Sequence, residues 1–225
     1  MSVVVDIDDT LLDVRERLRH AMTEILGCVV SRNDMKMMNT AQIFDKYASP
    51  EQQGIAEELH ERFWDIILCK EEIGFDLLRF DEPIPEAAKV LKAWNEEYQI
   101  VYLTGRIEPT REHTLSQLRE HGFPIEGTQL VMFQTKDYYQ ARWALGLEFI
   151  GPTLIEIRSK WFSLILQQNS VLKVVDDFPD YFGVYRKHDV PELIGLARSS
   201  FRTEQTYLDH GATRVIRCWS ELLNS

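Results

Sequence analysis

Positive charge is scarce in this chain. Its 25 lysines and arginines stand against 36 aspartates and glutamates over 225 residues, a formal net charge of −11. A nonspecific nucleic-acid binder needs a basic footprint, so the total argues against that class, while a local basic groove stays compatible with it. Cysteine is rarer still. Cys28, Cys69 and Cys218 are odd in number, far apart and without metal-ligand spacing. They read as reduced, buried thiols of a cytoplasmic protein rather than as a disulfide framework or a zinc site. No apolar run reaches the ~18 residues of a membrane span, so no membrane partner is expected. No basic stretch leads into the apolar core of a signal peptide. The histidines at 20, 60, 113, 121, 188 and 210 show no pairing at metal spacing and read as surface or helix-end residues. Repeats and low-complexity segments are lacking too. What remains is ordinary for a globular chain, 44% hydrophobic and 27% charged, with length for one large core or a core plus a smaller satellite domain.

The informative stretch is Val3-Val4-Val5-Asp6-Ile7-Asp8-Asp9-Thr10. Three β-branched residues predict a buried strand, and the abrupt switch to carboxylates and a hydroxyl predicts a loop at its carboxyl end. In open α/β sheets ligands bind at that end. Two carboxylates about 4 Å apart repel by roughly 4 kcal/mol at an effective dielectric near 20, so a cation, a shared proton or solvent must relieve them. A solvated turn is the simplest account of an isolated Asp-x-Asp. A calcium loop starting at Asp6 fails, because Leu11 stands where the sharp-turn glycine belongs and Arg17 where the bidentate glutamate belongs.

Along the chain, residues 14–28, 33–48 and 51–69 read as helices, and nothing between 14 and about 80 has a strand pattern. This predicts a helical insert, 14–80, with Asp81-Glu82-Pro83-Ile84-Pro85 as the return linker. From 86 the rhythm becomes α/β. A helix over 86–98 leads to a strand at 100–103, which runs into Thr104-Gly105-Arg106. Pro109 opens the next helix and Gly122 closes it. Gln129–Phe133 is a strand, 134–157 has no clear period although Tyr138, Tyr139, Trp143 and Phe149 are expected to pack, and Gly151-Pro152 reads as a turn. A helix over 158–168 precedes the strand 171–175, which delivers Asp176-Asp177 with Asp180 three residues on. Further strands at 192–197 and 213–217 and a helix at 218–224 complete the reading. The fold class expected is α/β, a Rossmann-like, mainly parallel sheet with helices on both faces. Residues 1–13 and 81–225 make the core.

Three strands thus end in polar chemistry, at Asp6-x-Asp8, Thr104-Gly105 and Asp176-Asp177, and a parallel sheet puts all three ends on one edge. Lys160 lies on the helix before the last of them. Asp6-Ile7-Asp8-Asp9-Thr10, Leu103-Thr104-Gly105-Arg106, Lys160 and Val175-Asp176-Asp177, in this order, resemble the four motifs of the haloacid dehalogenase superfamily of phosphohydrolases. The Thr-Gly-Arg form and the Asp-Asp-x-Pro-Asp ending look closest to its deoxyribonucleotidase and acid-phosphatase branch.

The resemblance implies a Mg²⁺-dependent phosphomonoesterase acting on a small phosphorylated metabolite, a nucleoside monophosphate among the candidates. Asp6 would be the nucleophile that forms an aspartyl-phosphate, and Asp8 the acid and base. Thr104, Gly105, Arg106 and Lys160 would meet the substrate phosphoryl group, with Arg106 either touching substrate or closing the site. Mg²⁺ would be held by Asp6, the Asp8 carbonyl and the fourth-motif acid: Asp177 first, Asp176 next, Asp180 third. The dehalogenases and P-type ATPases of the superfamily carry another residue where Asp8 stands, which narrows the chemistry to phosphatase or phosphotransferase. The insert 14–80 would be a C1-type cap that chooses the substrate. Lys160 sits 16 positions before Asp176, near for its role, and Lys136 is its rival. Alternative readings are a non-catalytic regulatory or binding protein that kept the fold, and a phosphatase for nucleic-acid ends, which would want a basic channel. A response-regulator receiver carries similar residues in a different order.

Overall fold

The computed structural model describes residues 1–135, 152–198 and 202–223. Its strands are β1 (Ser2–Val5), β2 (Leu12–Asp13), β3 (Glu82–Pro83), β4 (Gln99–Ile107), β5 (Gln129–Phe133), β6 (Val171–Asp176), β7 (Glu192–Leu196) and β8 (Arg214–Ile216). Six of them form one parallel sheet in the order β5-β4-β1-β6-β7-β8, and β2 pairs with β3 in a separate ribbon. The valines of β1 are fully buried because the strand is central, with β4 on one side and β6 on the other. The chain fills the β4 side of β1 first and then crosses to the β6 side. This reversal opens a crevice at the carboxyl ends of these strands, where α/β sheets bind ligands. The sheet with helices around it is the α/β class expected.

The chain divides into two compact units. One takes Met1–Leu12, Pro83–Arg198 and Arg202–Ser225, and the other Asp13–Glu82. The second unit is helical: α1 (Arg15–Leu26), α2 (Arg32–Met37), α3 (Thr40–Tyr47), α4 (Pro50–Gln53), α5 (Ala56–Ile67) and α6 (Glu72–Leu77). Ala21, Met22 and Ile25 of α1 meet Ile43 and Phe44 of α3 and Phe63 and Ile66 of α5 in one apolar core. The continuous helices expected over 33–48 and 51–69 are broken. Within the first, Asn39 starts a new helix through reciprocal capping with Gln42, a stronger local preference than continuing a helix through it. The second, its start capped by Ser49 with Gln52, breaks at Gly54 and Ile55.

In the sheet unit, α7 (Ala87–Asn95), α8 (Arg111–Glu120), α9 (Pro152–Gln168), α10 (Phe182–Arg186) and α11 (Glu204–His210) accompany the strands. Phe162 and Ile165 of α9 pack with Val4, Val101 and Leu103 against Phe182 and Tyr185 of α10. Helix α9 begins at Pro152, six residues before the expected start, so the expected Gly151-Pro152 turn gives way to helix from Pro152 onward. The final helix expected at 218–224 is a single 3-10 turn, Trp219–Leu222. The three cysteines are free, but only Cys69 is buried; Cys28 and Cys218 are exposed, correcting the expectation for those two. Lys136, Tyr138, Tyr139, Trp143, Phe149 and Gly151 lie outside the described residues.

Candidate active site

Asp6 follows directly on β1, and the register sets its neighbours. Val5 lies beside Tyr102 of β4 and Val175 of β6, so the residues that come next on the three strands are Asp6, Leu103 and Asp176. The Asp6 N–H donates to the Val175 carbonyl at 3.0 Å, extending the ladder by one bond. The chain then turns sharply. The Ile7 carbonyl accepts from the N–H groups of Leu11 and Leu12, and Asp9 adopts a left-handed φ of 57° within the turn. Beyond Thr104 the β4–β5 register shifts before Ile107, so Gly105 and Arg106 leave the regular ladder. Carboxylate oxygens of Asp6, Asp176 and Asp177 come within 4.8 Å of one another.

The cation paired with Asp6 and Asp176 is Arg158. Arg158 is 1% exposed, and its guanidinium reaches four partners. Nη2 donates to Asp6 Oδ1 at 3.0 Å and to Asp176 Oδ2, Nη1 to the Leu103 carbonyl at 2.8 Å, and Nε to the Tyr185 hydroxyl at 2.7 Å. The Tyr185 hydroxyl in turn donates to Asp176 Oδ2 at 2.6 Å, and the Tyr181 ring lies 4.6 Å from the guanidinium. Lys160 is exposed, with its ammonium over the Trp161 ring at 5.4 Å. Helix geometry gives the reason. Ile155, Arg158, Phe162 and Ile165 follow a three-to-four-residue spacing on the inward face of α9, whereas a residue two positions past Arg158 lies about 200° around the helix.

Asp8 faces Arg106. Arg106 Nε and Nη2 donate to Asp8 Oδ1 at 2.9 and 2.6 Å, while Nη1 donates to Thr114 Oγ1 and to Gln117 Oε1 on α8 at 3.3 and 2.7 Å. The Arg106 side chain is 4% exposed. It is thus held inside the protein beside Asp8. Thr104 is fully buried, its hydroxyl accepting the Arg106 N–H at 3.1 Å. Gly105 has open space where a Cβ would stand, leaving room in front of the backbone.

Asp177 is held from the far side. Arg202 donates to both its carbonyl, at 2.7 Å, and its Oδ2, at 2.9 Å, and the Tyr207 hydroxyl donates to the same carbonyl at 2.7 Å. Tyr207 reaches it only because β7 has Gly195 beneath its ring, where a Cβ would come within 2.5 Å of Cδ1. Arg198 lies 3.9 Å from Asp9 Oδ1. Asp180 faces away from the group and pairs with His210 at 3.0 Å. Arg158, Tyr185, Arg202 and Tyr207 were missed in the sequence; only Arg158 left a signal there, an arginine in phase with an apolar stripe.

Burial and crowding leave these acids short of positive charge. The Asp6 carboxyl is held well above the ordinary carboxylate range by burial first and by Asp176 next, with Arg158 opposing and Asp177 and Asp8 adding to the rise. Burial likewise pushes Asp177 up to about 7, Arg202 pulling against it while Asp9 and Asp176 reinforce the rise. Three hard oxygen donors within 4.8 Å, two of them, Asp6 and Asp177, held toward the protonated form, fit a divalent cation.

No family model matches the chain. A Bacillus cereus protein named "Putative nucleotidase" is 28% identical over 126 residues, 56% of this chain. The matched region spans 61% of that relative's length. An Oceanobacillus iheyensis protein of the same designation is 25% identical over 190 residues, covering 78% of this chain and 95% of the relative. Among solved structures, a haloacid dehalogenase-like hydrolase of Streptococcus pneumoniae superposes with a TM-score of 0.61 at 12% identity, over 99% of this chain and 96% of that one. A hydrolase of this type from Bacillus subtilis, solved with magnesium bound, gives 0.58 at 11% identity over 99% and 96%. The chain therefore has the fold of the haloacid dehalogenase-like hydrolases.

Proposed function

We propose that the protein is a Mg²⁺-dependent phosphomonoesterase that acts on a small phosphorylated metabolite through a phosphoryl group carried on Asp6. The observation that supports this best is the setting of Asp6: buried at the end of the central strand, 3.0 Å from Arg158 and grouped with Asp176 and Asp177. A carboxylate so placed has a neighbouring guanidinium whose charge offsets its own and lessens the repulsion of an incoming dianion.

In the proposed reaction an Asp6 oxygen attacks phosphorus while the bond to the leaving oxygen breaks, and Asp8 delivers the proton that this oxygen needs. Water then attacks the aspartyl-phosphate and gives its proton to Asp8. Asp6 is regenerated and inorganic phosphate leaves. The Thr104 hydroxyl would bind a transferring oxygen, and the charge of Arg158 would hold Asp6 and Asp176 in place. Asp6, Asp177 and the Asp8 carbonyl would hold Mg²⁺, whose charge offsets that of the reacting carboxylate and phosphate. Gly105 would let the phosphoryl group approach the backbone. The names of the two bacterial relatives favour a nucleoside monophosphate as substrate. The helical unit, inserted between the first and second motifs, would be the cap that selects the leaving group.

The test is hydrolysis of an aryl phosphate and a panel of phosphometabolites, with Mg²⁺ and with chelator, by the wild type and Asp6→Asn. The expected result is metal-dependent turnover that the substitution abolishes, with a phosphoryl group trapped on the Asp6 peptide of the wild type. Full activity in Asp6→Asn, or no turnover of any phosphomonoester, would sink the proposal.

A further inference from the structure

Arg106 is held on two sides. Its guanidinium is enclosed, it meets Asp8 on one edge, and on the other it is tied to Thr114 and Gln117 of α8. Its own N–H is fixed by the Thr104 hydroxyl. The arginine is thus anchored at both ends of its side chain, and the carboxylate it meets is the one to which proton transfer was assigned above. Arg106 Nε and Nη2 converge on Asp8 Oδ1. Two charged donors from a rigid fork hold that oxygen in place and so restrain the carboxyl group.

We infer that Arg106 is the positioning residue for proton transfer by Asp8: anchored by Thr114 and Gln117, its fork holds the Asp8 carboxyl group where the leaving-group oxygen departs. The inference rests on the phosphatase reading and deepens it. In the first half-reaction the phosphorus–oxygen bond to the leaving group breaks and the electron pair stays on oxygen. The proton of the Asp8 carboxyl passes to that oxygen, leaving Asp8 as the carboxylate that Arg106 faces. In the second half-reaction the Asp8 carboxylate takes the proton of water. Arg106 exchanges no proton in either step, since a guanidinium stays charged throughout.

This role has a signature that a merely structural one lacks. A leaving oxygen that is already a stable anion, as in 4-nitrophenyl phosphate, needs little proton transfer. An alkoxide leaving group needs it most. The dependence of kcat/KM on leaving-group basicity therefore reports how well Asp8 is placed, and kcat/KM covers the steps up to release of the leaving group.

The experiment measures kcat/KM for a series from 4-nitrophenyl through phenyl to alkyl phosphates with wild type, Arg106→Lys, Arg106→Met and Gln117→Leu. Circular dichroism and thermal melts accompany each protein. General acid catalysis is worth about 100-fold or more. Arg106→Met should accordingly lose about that factor on alkyl phosphates and less than about tenfold on 4-nitrophenyl phosphate. Gln117→Leu keeps Arg106 and releases one anchor, so it should tilt the series in the same direction by less. Arg106→Lys, which keeps the charge and loses the fork, should also tilt it. Equal losses across the series in the folded variants would overturn the inference while leaving the phosphatase reading intact. A wild type without turnover of any member would overturn both. If Arg106→Met proves unfolded, a flat response in Gln117→Leu and Arg106→Lys overturns the inference by itself.

Discussion

Asp6 is an acid that its surroundings keep from ionising, and that has a thermodynamic consequence separate from catalysis. Its carboxyl is raised in the folded protein, by burial first, so the folded state keeps a proton that the unfolded chain has released. Below the ordinary carboxylate pKa of 3.8 both states are protonated and no penalty exists. As pH rises from there through the folded value the protein loses stability. Asp6→Asn removes the ionisable group. Without metal it should melt above the wild type at pH 8, the advantage shrinking to nothing near pH 4, while turnover falls by about 10³-fold or more. Thermal melts across pH, paired with a phosphatase assay, check both; a variant no more stable than wild type at pH 8 would contradict the charge reading. Arg158 and Lys160 give a second contrast. Arg158→Met leaves Asp6 and Asp176 without their shared guanidinium and should cost about 3–5 kcal/mol in stability, with activity lost. Lys160→Met, at an exposed position, should stay within about 0.5 kcal/mol of wild type and keep its activity. Denaturant unfolding and kinetics on the two variants decide between the residues.

At the scale of elements, the strands were legible because runs such as Val3–Val5 and Val174–Val175 fit nothing but buried extended chain. Their polar ends were legible because a parallel sheet sends them to one edge. Lys160 was legible from its place on the helix before the strand that ends in Asp176 and from the order of the resembled motifs. Helical phase adds Arg158, which falls on the spacing of Phe162 and Ile165. The break at Asn39 and the helix start at Ser49 were also written in the chain, each with a glutamine three residues on. Arg202 and Tyr207 were beyond such reading: they reach Asp177 from 25 and 30 residues away in sequence, across β7. Gly195 makes that reach possible, and it is testable. In Gly195→Ala the new Cβ would strike the Tyr207 ring, so the protein should lose about 1–3 kcal/mol. Its affinity for Mg²⁺ should weaken as the Asp177 loop loosens. Unfolding and calorimetric titration measure the two, and an unaltered metal affinity would separate Tyr207 from the site.

For the molecule as a whole, a cation that binds only where Asp6 and Asp177 are assembled should stabilise the fold itself. At about 100 times its dissociation constant a ligand adds roughly 2.7 kcal/mol. For a chain of this size that is a rise of several degrees in Tm. Mg²⁺ should produce such a rise in wild type, chelator should reverse it, and Asp177→Asn should not respond; an equal shift in the variant would place the ion elsewhere. The wider setting is a protein of net charge −11 in which Asp6, Asp8, Asp9, Asp176 and Asp177 are matched by Arg106, Arg158, Arg198 and Arg202. Each of these four cations is a guanidinium, a group that keeps its charge across the whole working range of pH. Against that fixed frame, the variable electrostatic load in this crevice lies with the acids and with whatever anion and cation come in together. A phosphate ester that arrives already paired with its metal is close to neutral, and so disturbs a nearly balanced lattice of charge less than either ion would alone.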